Sequence, residues 1–187
     1  MGKINEQKYK LVKNLLTKEE LELLINYTKI MHRFNTSSFD REGQSNNADT
    51  CMYRDEVMES LLLSIQERIE KETNLKLYPT YSFWRMYTYG ADLKEHIDRP
   101  SCEISVTITL YSDGTDWPIY MGTTPVSMGP GDGCIYEGCD IPHSRKEFTG
   151  DGQSQVFLHY VDANGKNKDY KFDKREGIGY PNLTENC

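Results

Sequence analysis

The chain has 187 residues, of which 37% are hydrophobic and 27% charged, and its formal net charge is -7. That length and balance predict one soluble globular domain, 1–187, with a sizeable core. The acidic excess speaks against a nucleic-acid backbone as the main partner. No apolar run approaches the roughly 20 residues of a membrane span, and no apolar h-region of a secretory signal opens the chain. The five cysteines form no C-x-x-C pair, so neither a disulfide framework nor a structural zinc site is indicated, and a reducing, cytoplasmic setting is expected.

Residues 1–16 give a polar lead-in and a short apolar run from Tyr9 to Leu16, read as a first strand or extended segment. Thr17-Lys18-Glu19-Glu20 has the spacing of a capping box. Leu21, Leu24, Ile25, Thr28 and Met31 then recur at helical spacing, so a helix is predicted over 18–32. Residues 34–50 are rich in Ser, Asn, Asp and Gly and read as a loop long enough to be a lid. A second helix is predicted over 54–73, with Val57, Met58, Leu61, Leu62, Ile65 and Ile69 on its apolar face and Asn74 as its stop. The two helices are expected to pack on one outer face of a sheet.

From residue 75 the period changes from helix to strand. Residues 77–89 are aromatic-rich and strand-like. A glycine turn at Gly90 then leads to His96-Ile97-Asp98, followed by strict alternation. Ile104, Val106, Ile108 and Leu110 take one face; Glu103, Ser105, Thr107 and Thr109 take the other. This reads as a half-buried strand. Beyond it lie a turn at 112–116, a hairpin from 117–122 and 126–128, and a second turn at 129–133. A strand at 133–137, a loop over 138–154, a strong strand at 155–161 and a polar tail over 166–187 complete the chain. Two helices followed by seven or eight short antiparallel strands predict an α+β fold with the sheet folded as a sandwich or jelly roll.

In extended chain, residues i and i+2 point the same way, so His96 and Asp98 can aim at one point. An imidazole and a carboxylate so aimed are two ligands for a divalent metal. Of the four histidines (His32, His96, His143, His159), His143 is the natural third ligand, since it follows Pro130-Gly131-Asp132 and the apolar Cys134-Ile135-Tyr136. Two histidines and one carboxylate on one side of a metal leave positions open, the arrangement of non-haem Fe(II) oxygenases. A structural zinc site would instead close its tetrahedron. His159 reads as a core or pocket-wall residue and His32 as a helix-end residue. Cys102 and Cys139 read as small buried apolar residues, and Arg99 with Glu103 as either a salt bridge or part of the pocket.

With these residues in place, the segment 81–162 resembles the Fe(II)/2-oxoglutarate-dependent dioxygenase superfamily, in its prolyl-4-hydroxylase-like branch. The resemblance is carried by Arg85-Met86-Tyr87-Thr88-Tyr89-Gly90, His96-Ile97-Asp98, Pro130-Gly131-Asp132, His143 and Gln155-Val156-Phe157-Leu158-His159-Tyr160. It implies a double-stranded β-helix (jelly roll) with N-terminal helices packed on the major sheet. It implies Fe(II) at His96, Asp98 and His143, 2-oxoglutarate as cosubstrate, and O2-dependent hydroxylation of a peptide side chain or small molecule with release of succinate and CO2. It also implies a hydrogen bond from Tyr87 to 2-oxoglutarate, with Tyr111 in a similar role. One departure stands out. The family usually supplies a Lys or Arg after the distal histidine to pair with the far carboxylate of 2-oxoglutarate, and this chain has Asp151-Gly152-Gln153-Ser154-Gln155 there. A buried carboxylate needs a cation, so Arg145 is the first candidate and Arg85 the second, a guanidinium suiting a carboxylate in two-point contact. The alternatives are a non-catalytic β-helix and a cupin-like metal-binding β-barrel that does not use 2-oxoglutarate.

Overall fold

The computed structural model describes residues 4–34 and 50–180. Most of the lid expected at 34–50 lies outside them. The lead-in forms strand β1 (Tyr9–Val12). Helix α1 (Lys18–Phe34) starts where the sequence places it. Its capping box closes reciprocally: the Glu20 carboxylate accepts from the Thr17 amide at 2.8 Å, and the Thr17 hydroxyl accepts from the Glu20 amide at 3.2 Å. The second predicted helix, 54–73, is instead two helices, α2 (Glu56–Ser64) and α3 (Gln66–Thr73), preceded by a short strand, β2 (Thr50–Tyr53). Asp55 caps α2 by accepting from the amides of Val57 and Met58, both at 3.1 Å. The break falls at Ile65, whose φ/ψ of -98°/0° leaves the helical region while its side chain stays fully buried. Asn74, left-handed at φ 55°, ends α3 as predicted.

Strands β3 (Leu77–Tyr87), β4 (Leu93–His96), β5 (Ile104–Ser112), β6 (Ile119–Met121) and β7 (Thr124–Val126) follow, then β8 (Gly133–Tyr136), β9 (His143–Arg145) and β10 (Gln153–Asp162). All pairings are antiparallel. They make a six-stranded sheet in the order β1-β8-β5-β10-β3-β2 and a four-stranded sheet in the order β4-β9-β6-β7. The predicted loop over 138–154 therefore contains a strand. Three residues are too few for an alternation pattern to reveal it, and β9 exists because it bridges β4 and β6.

The outer face of the large sheet carries the main core. Ile104, Val106, Ile108, Leu110, Val156 and Leu158 pack there against Leu24, Met58, Leu62, Ile65 and Ile69 of the helices. Each such side chain contributes about 1.5–3 kcal/mol by leaving water. The two sheets also face each other, as Ile119, Met121 and Val126 close on Cys134 and Tyr136. For that reason β5 is not half-buried as its alternation suggested. Ser105, Thr107 and Thr109 are as inaccessible as the aliphatic residues between them, because their face is roofed by the second sheet. Their hydroxyls are satisfied internally: Thr107 donates to Gln155 Oε1 at 3.2 Å, and Gln155 Nε2 donates to Thr109 at 2.9 Å.

The tail, read from its sequence only as polar, packs against the rest of the domain in its described part. Arg175 is buried and grips Glu59 through both guanidinium nitrogens, at 2.6 and 3.2 Å, while donating to the Thr80 carbonyl at 2.9 Å. Just before it, Phe172, Asp173 and Lys174 are all left-handed, with φ of 56°, 55° and 63°. Such backbone is costly outside glycine and persists only where contacts enforce it. Among the described residues, no helix is long and apolar enough to cross a membrane.

Candidate metal centre

His96 is the last residue of β4 and His143 the first of β9, and the two are directly cross-strand partners. Their rings lie 4.3 Å apart. Asp98 follows β4 in a turn where its amide donates to the Gly138 carbonyl at 2.8 Å. One carboxylate oxygen, Oδ1, then stands 3.7 Å from His96 Nε2 and 3.6 Å from His143 Nε2. One donor atom from each residue fits within 4.8 Å of the others.

The tautomers follow from the partners. His96 Nδ1 lies 2.8 Å from the Lys94 carbonyl and His143 Nδ1 lies 3.1 Å from the Ile141 carbonyl. A carbonyl only accepts, so each Nδ1 carries the hydrogen and each Nε2 presents a lone pair to the centre. The edge of Tyr136 holds the His143 ring at 4.8 Å. Burial lowers the pKa of His96, with His143 adding to the effect. Burial alone would raise the Asp98 carboxyl, but hydrogen bonding and charge from His143, the charge of His159 and the Ser105 hydroxyl together hold it below the ordinary carboxylate value. Two imidazole Nε2 atoms, once free of their protons, and one carboxylate are the donor set of a divalent metal.

A cavity of about 400 Å³ opens onto these three residues, lined further by Tyr53, Tyr81, Phe83, Arg85, Tyr87, Arg99 and His159. Its floor is the inner face of the large sheet, where cross-strand rows repeat: Tyr81, His159 and Ser105; then Phe83, Phe157 and Thr107; then Arg85, Gln155 and Thr109. Tyr87 is buried beside Trp117, with ring centroids 4.9 Å apart. Arg145 lies two residues beyond His143 on β9. Its guanidinium sits 4.7 Å above the Trp117 ring and Nη1 donates to the Trp117 carbonyl. Nε and Nη2 of Arg145 are buried without a hydrogen-bond partner. Burial pulls its pKa down to about 10, so it remains cationic at neutral pH. Arg85 lines the cavity, its guanidinium 5.2 Å from the Tyr87 ring centroid, whereas Arg145 is not among the residues that line it.

Tyr111 is not brought to this cavity. A β-bulge between β5 and β10 pairs Gln155 with Thr109 but Ser154 with Tyr111, leaving Leu110 as the extra residue. The extra residue turns Tyr111 to the helix side, where it packs on the main core under Lys29, whose amine lies 4.6 Å from the ring centroid.

No family model matches the chain and no curated protein sequence matches it. Solved structures do. A viral collagen prolyl hydroxylase of Paramecium bursaria Chlorella virus-1, solved with 2-oxoglutarate, superposes with a TM-score of 0.61 at 12% identity, covering 84% of this chain and 97% of the viral one. A prolyl hydroxylase from Trichoplax adhaerens, in complex with a peptide fragment of hypoxia-inducible factor, gives 0.63 at 15% identity over 86% of each chain. A non-haem α-ketoglutarate-dependent epimerase of nogalamycin biosynthesis gives 0.68 at 12% identity, covering 83% and 78%. This is the 2-oxoglutarate oxygenase fold.

Within the oxygenase fold, several residues around the centre escaped sequence reading. Ser105 donates to Asp98 Oδ2 at 3.0 Å and meets His159 Nδ1 at 2.9 Å. Gly138 lies so close that a Cβ there would fall 2.3 Å from Asp98 Oδ2. At the mouth, Arg99 forks onto Asp173 at 2.9 and 3.1 Å, donates to the Tyr53 hydroxyl at 2.9 Å and lies 4.5 Å above the Tyr81 ring. Asp173 is thus the partner of Arg99. Asp98, Cys102 and His159 also sit close enough to form a ligand group, but Asp98 Oδ2 and His159 Nδ1 are engaged by the Ser105 hydroxyl and Cys102 Sγ lies 3.1 Å from the Tyr81 hydroxyl.

Proposed function

We propose that this chain is an Fe(II)- and 2-oxoglutarate-dependent oxygenase that hydroxylates a C–H bond of a peptide side chain or small molecule, with O2 as co-reactant and succinate and CO2 as products. The observation that carries the reading is the pairing of two features. Two Nε2 lone pairs and a carboxylate converge on one point, and a buried guanidinium with uncommitted donors stands two residues along the same strand. Two residues of strand span about 6.8 Å, near the length of a five-carbon dicarboxylate. The epimerase fold neighbour keeps other outcomes of the same chemistry in view, and the hydroxylase crystallised with a peptide supports a peptide as one substrate class.

The donor set fits iron. His96, Asp98 and His143 would hold the ion on one side, and the ion with its cosubstrate would supply O2 activation. The chain's own contributions are concrete. Lys94 and Ile141 carbonyls orient the two imidazoles. Arg145 would receive the far carboxylate of 2-oxoglutarate; Tyr87 and Arg85, which line the cavity, offer a hydroxyl and a guanidinium as the other candidate donors. Trp117, Phe148, Phe157 and Tyr87 pack this inner end and exclude water.

The test is 2-oxoglutarate turnover by the purified protein with Fe(II) and ascorbate, followed as succinate. His96→Ala and Asp98→Ala should each abolish it. Succinate release unchanged in either variant would reject the assignment. Thermal stabilisation by N-oxalylglycine in the presence of Mn(II) should accompany binding.

A further inference from the structure

The Asp98 carboxylate is held at both oxygens, and the two are treated differently. Oδ1 turns to the His96 and His143 nitrogens. Oδ2 turns away from them, into a cage formed by the Ser105 hydroxyl and the bare backbone of Gly138. The hydrogens in this cage can be assigned. Ser105 Oγ lies 3.0 Å from Asp98 Oδ2, 3.0 Å from the Cys102 carbonyl and 2.9 Å from His159 Nδ1. A carboxylate and a carbonyl only accept. The single hydroxyl hydrogen is therefore shared between these two acceptors, the charged carboxylate being the stronger, and the hydrogen between Ser105 and His159 belongs to His159 Nδ1. The His159 ring is fixed in place by burial and by the Tyr81 ring, whose centroid is 4.5 Å away. The result is a directed chain, His159 to Ser105 to Asp98.

We propose that Ser105 and His159 are positioning residues that keep Asp98 a one-oxygen ligand, so that half of the metal's coordination sphere stays open. This rests on the reading of His96, Asp98 and His143 as an iron centre. A carboxylate whose second oxygen is unrestrained can bind through both oxygens, as carboxylates do at other divalent ions. At a centre of this class the second oxygen would take one of the three positions that cosubstrate and O2 require. Holding Oδ2 with a hydrogen bond, against a glycine that admits no side chain, prevents that closure. Neither residue touches the metal, so their effect passes through Asp98 alone.

The experiment uses Mn(II) with the full chain, read by water-proton relaxation, which reports both uptake and the number of exchangeable waters on the bound ion. The wild-type protein should bind Mn(II) with about three such waters. Ser105→Ala should bind with relaxivity lower by about a third, one position having been lost to Oδ2, and with metal affinity altered by about 10–100-fold. His159→Leu should behave like Ser105→Ala. His159→Asn, which places an amide hydrogen near the former Nδ1, should restore the wild-type relaxivity, a rescue that a merely space-filling role would not give. Circular dichroism checks that each variant is folded, and if Ser105→Ala is not, the contrast between His159→Leu and His159→Asn decides the matter. Normal Mn(II) uptake with wild-type relaxivity in Ser105→Ala and His159→Leu would overturn this inference alone. No uptake by the wild type would overturn it together with the metal reading.

Discussion

Arg145 stands out among the single residues, because a buried cation with idle donors is expensive unless an anion completes it. Replacing it by leucine should weaken 2-oxoglutarate binding by about 1.5–3 kcal/mol, the worth of a hydrogen bond to a charged group, while leaving Mn(II) uptake intact. Calorimetry of 2-oxoglutarate binding to the Mn(II)-loaded protein checks this, and a larger loss in Arg85→Leu would transfer the role to Arg85. The melting temperature of Arg145→Leu without ligands should be no lower than that of the wild type. Gly138→Ala should weaken Mn(II) binding by about 10–100-fold, since its methyl group would displace Asp98 Oδ2; equilibrium titration reads that directly. These residues differed in how legible they were. His96 and Asp98 announced themselves by spacing, and Arg145 as a guanidinium close after the distal histidine, although the strand that carries it was read as loop. Gly138 and Ser105 act through contacts across strands that no local pattern encodes.

At the level of elements, alternation revealed where β5 runs but not what covers it. Ser105, Thr107 and Thr109 look like a wet face because threonine and serine are common in such places, yet here they face a second sheet. Tyr111 was misplaced by one β-bulge, since a single extra residue reverses every later assignment on a strand. The split between α2 and α3 was hidden because Ile65 fits the apolar stripe of one long helix equally well. The tail was underread because its partners lie far away in sequence: Arg175 meets Glu59 at a separation of 116 residues, and Asp173 meets Arg99 at 74. Arg175→Met should destabilise the protein by about 3–5 kcal/mol by stranding the Glu59 charge. Substituting both partners with leucine should recover much of that loss. Urea unfolding of the single and double variants measures the difference.

For the molecule as a whole, acid should act through the same inner face that carries the site. Burial lowers the pKa of His159 from 6.5 to about 4. Between those values the unfolded chain binds a proton that the folded chain refuses, so stability rises with pH across that window and falls as pH drops from about 6.5 towards 4. His96, whose pKa is lowered, and Asp98, whose carboxyl is also held low, act in the same direction. Melting temperatures of the metal-free protein between about pH 7.5 and 4.5, a span that brackets the titration of an ordinary histidine, should decline more steeply for wild type than for His159→Asn. A further consequence follows from the place of β10 between β3 and β5. Its even-numbered side chains, Val156 and Leu158, enter the oily side, whereas Gln155, Phe157 and His159 enter the chamber beside the candidate metal. One strand thereby separates two compartments with opposite tastes. Adding a single amino acid midway along it would deliver grease to the chamber and an imidazole to the oil, so this seam should be the least forgiving place in the chain for a change of length.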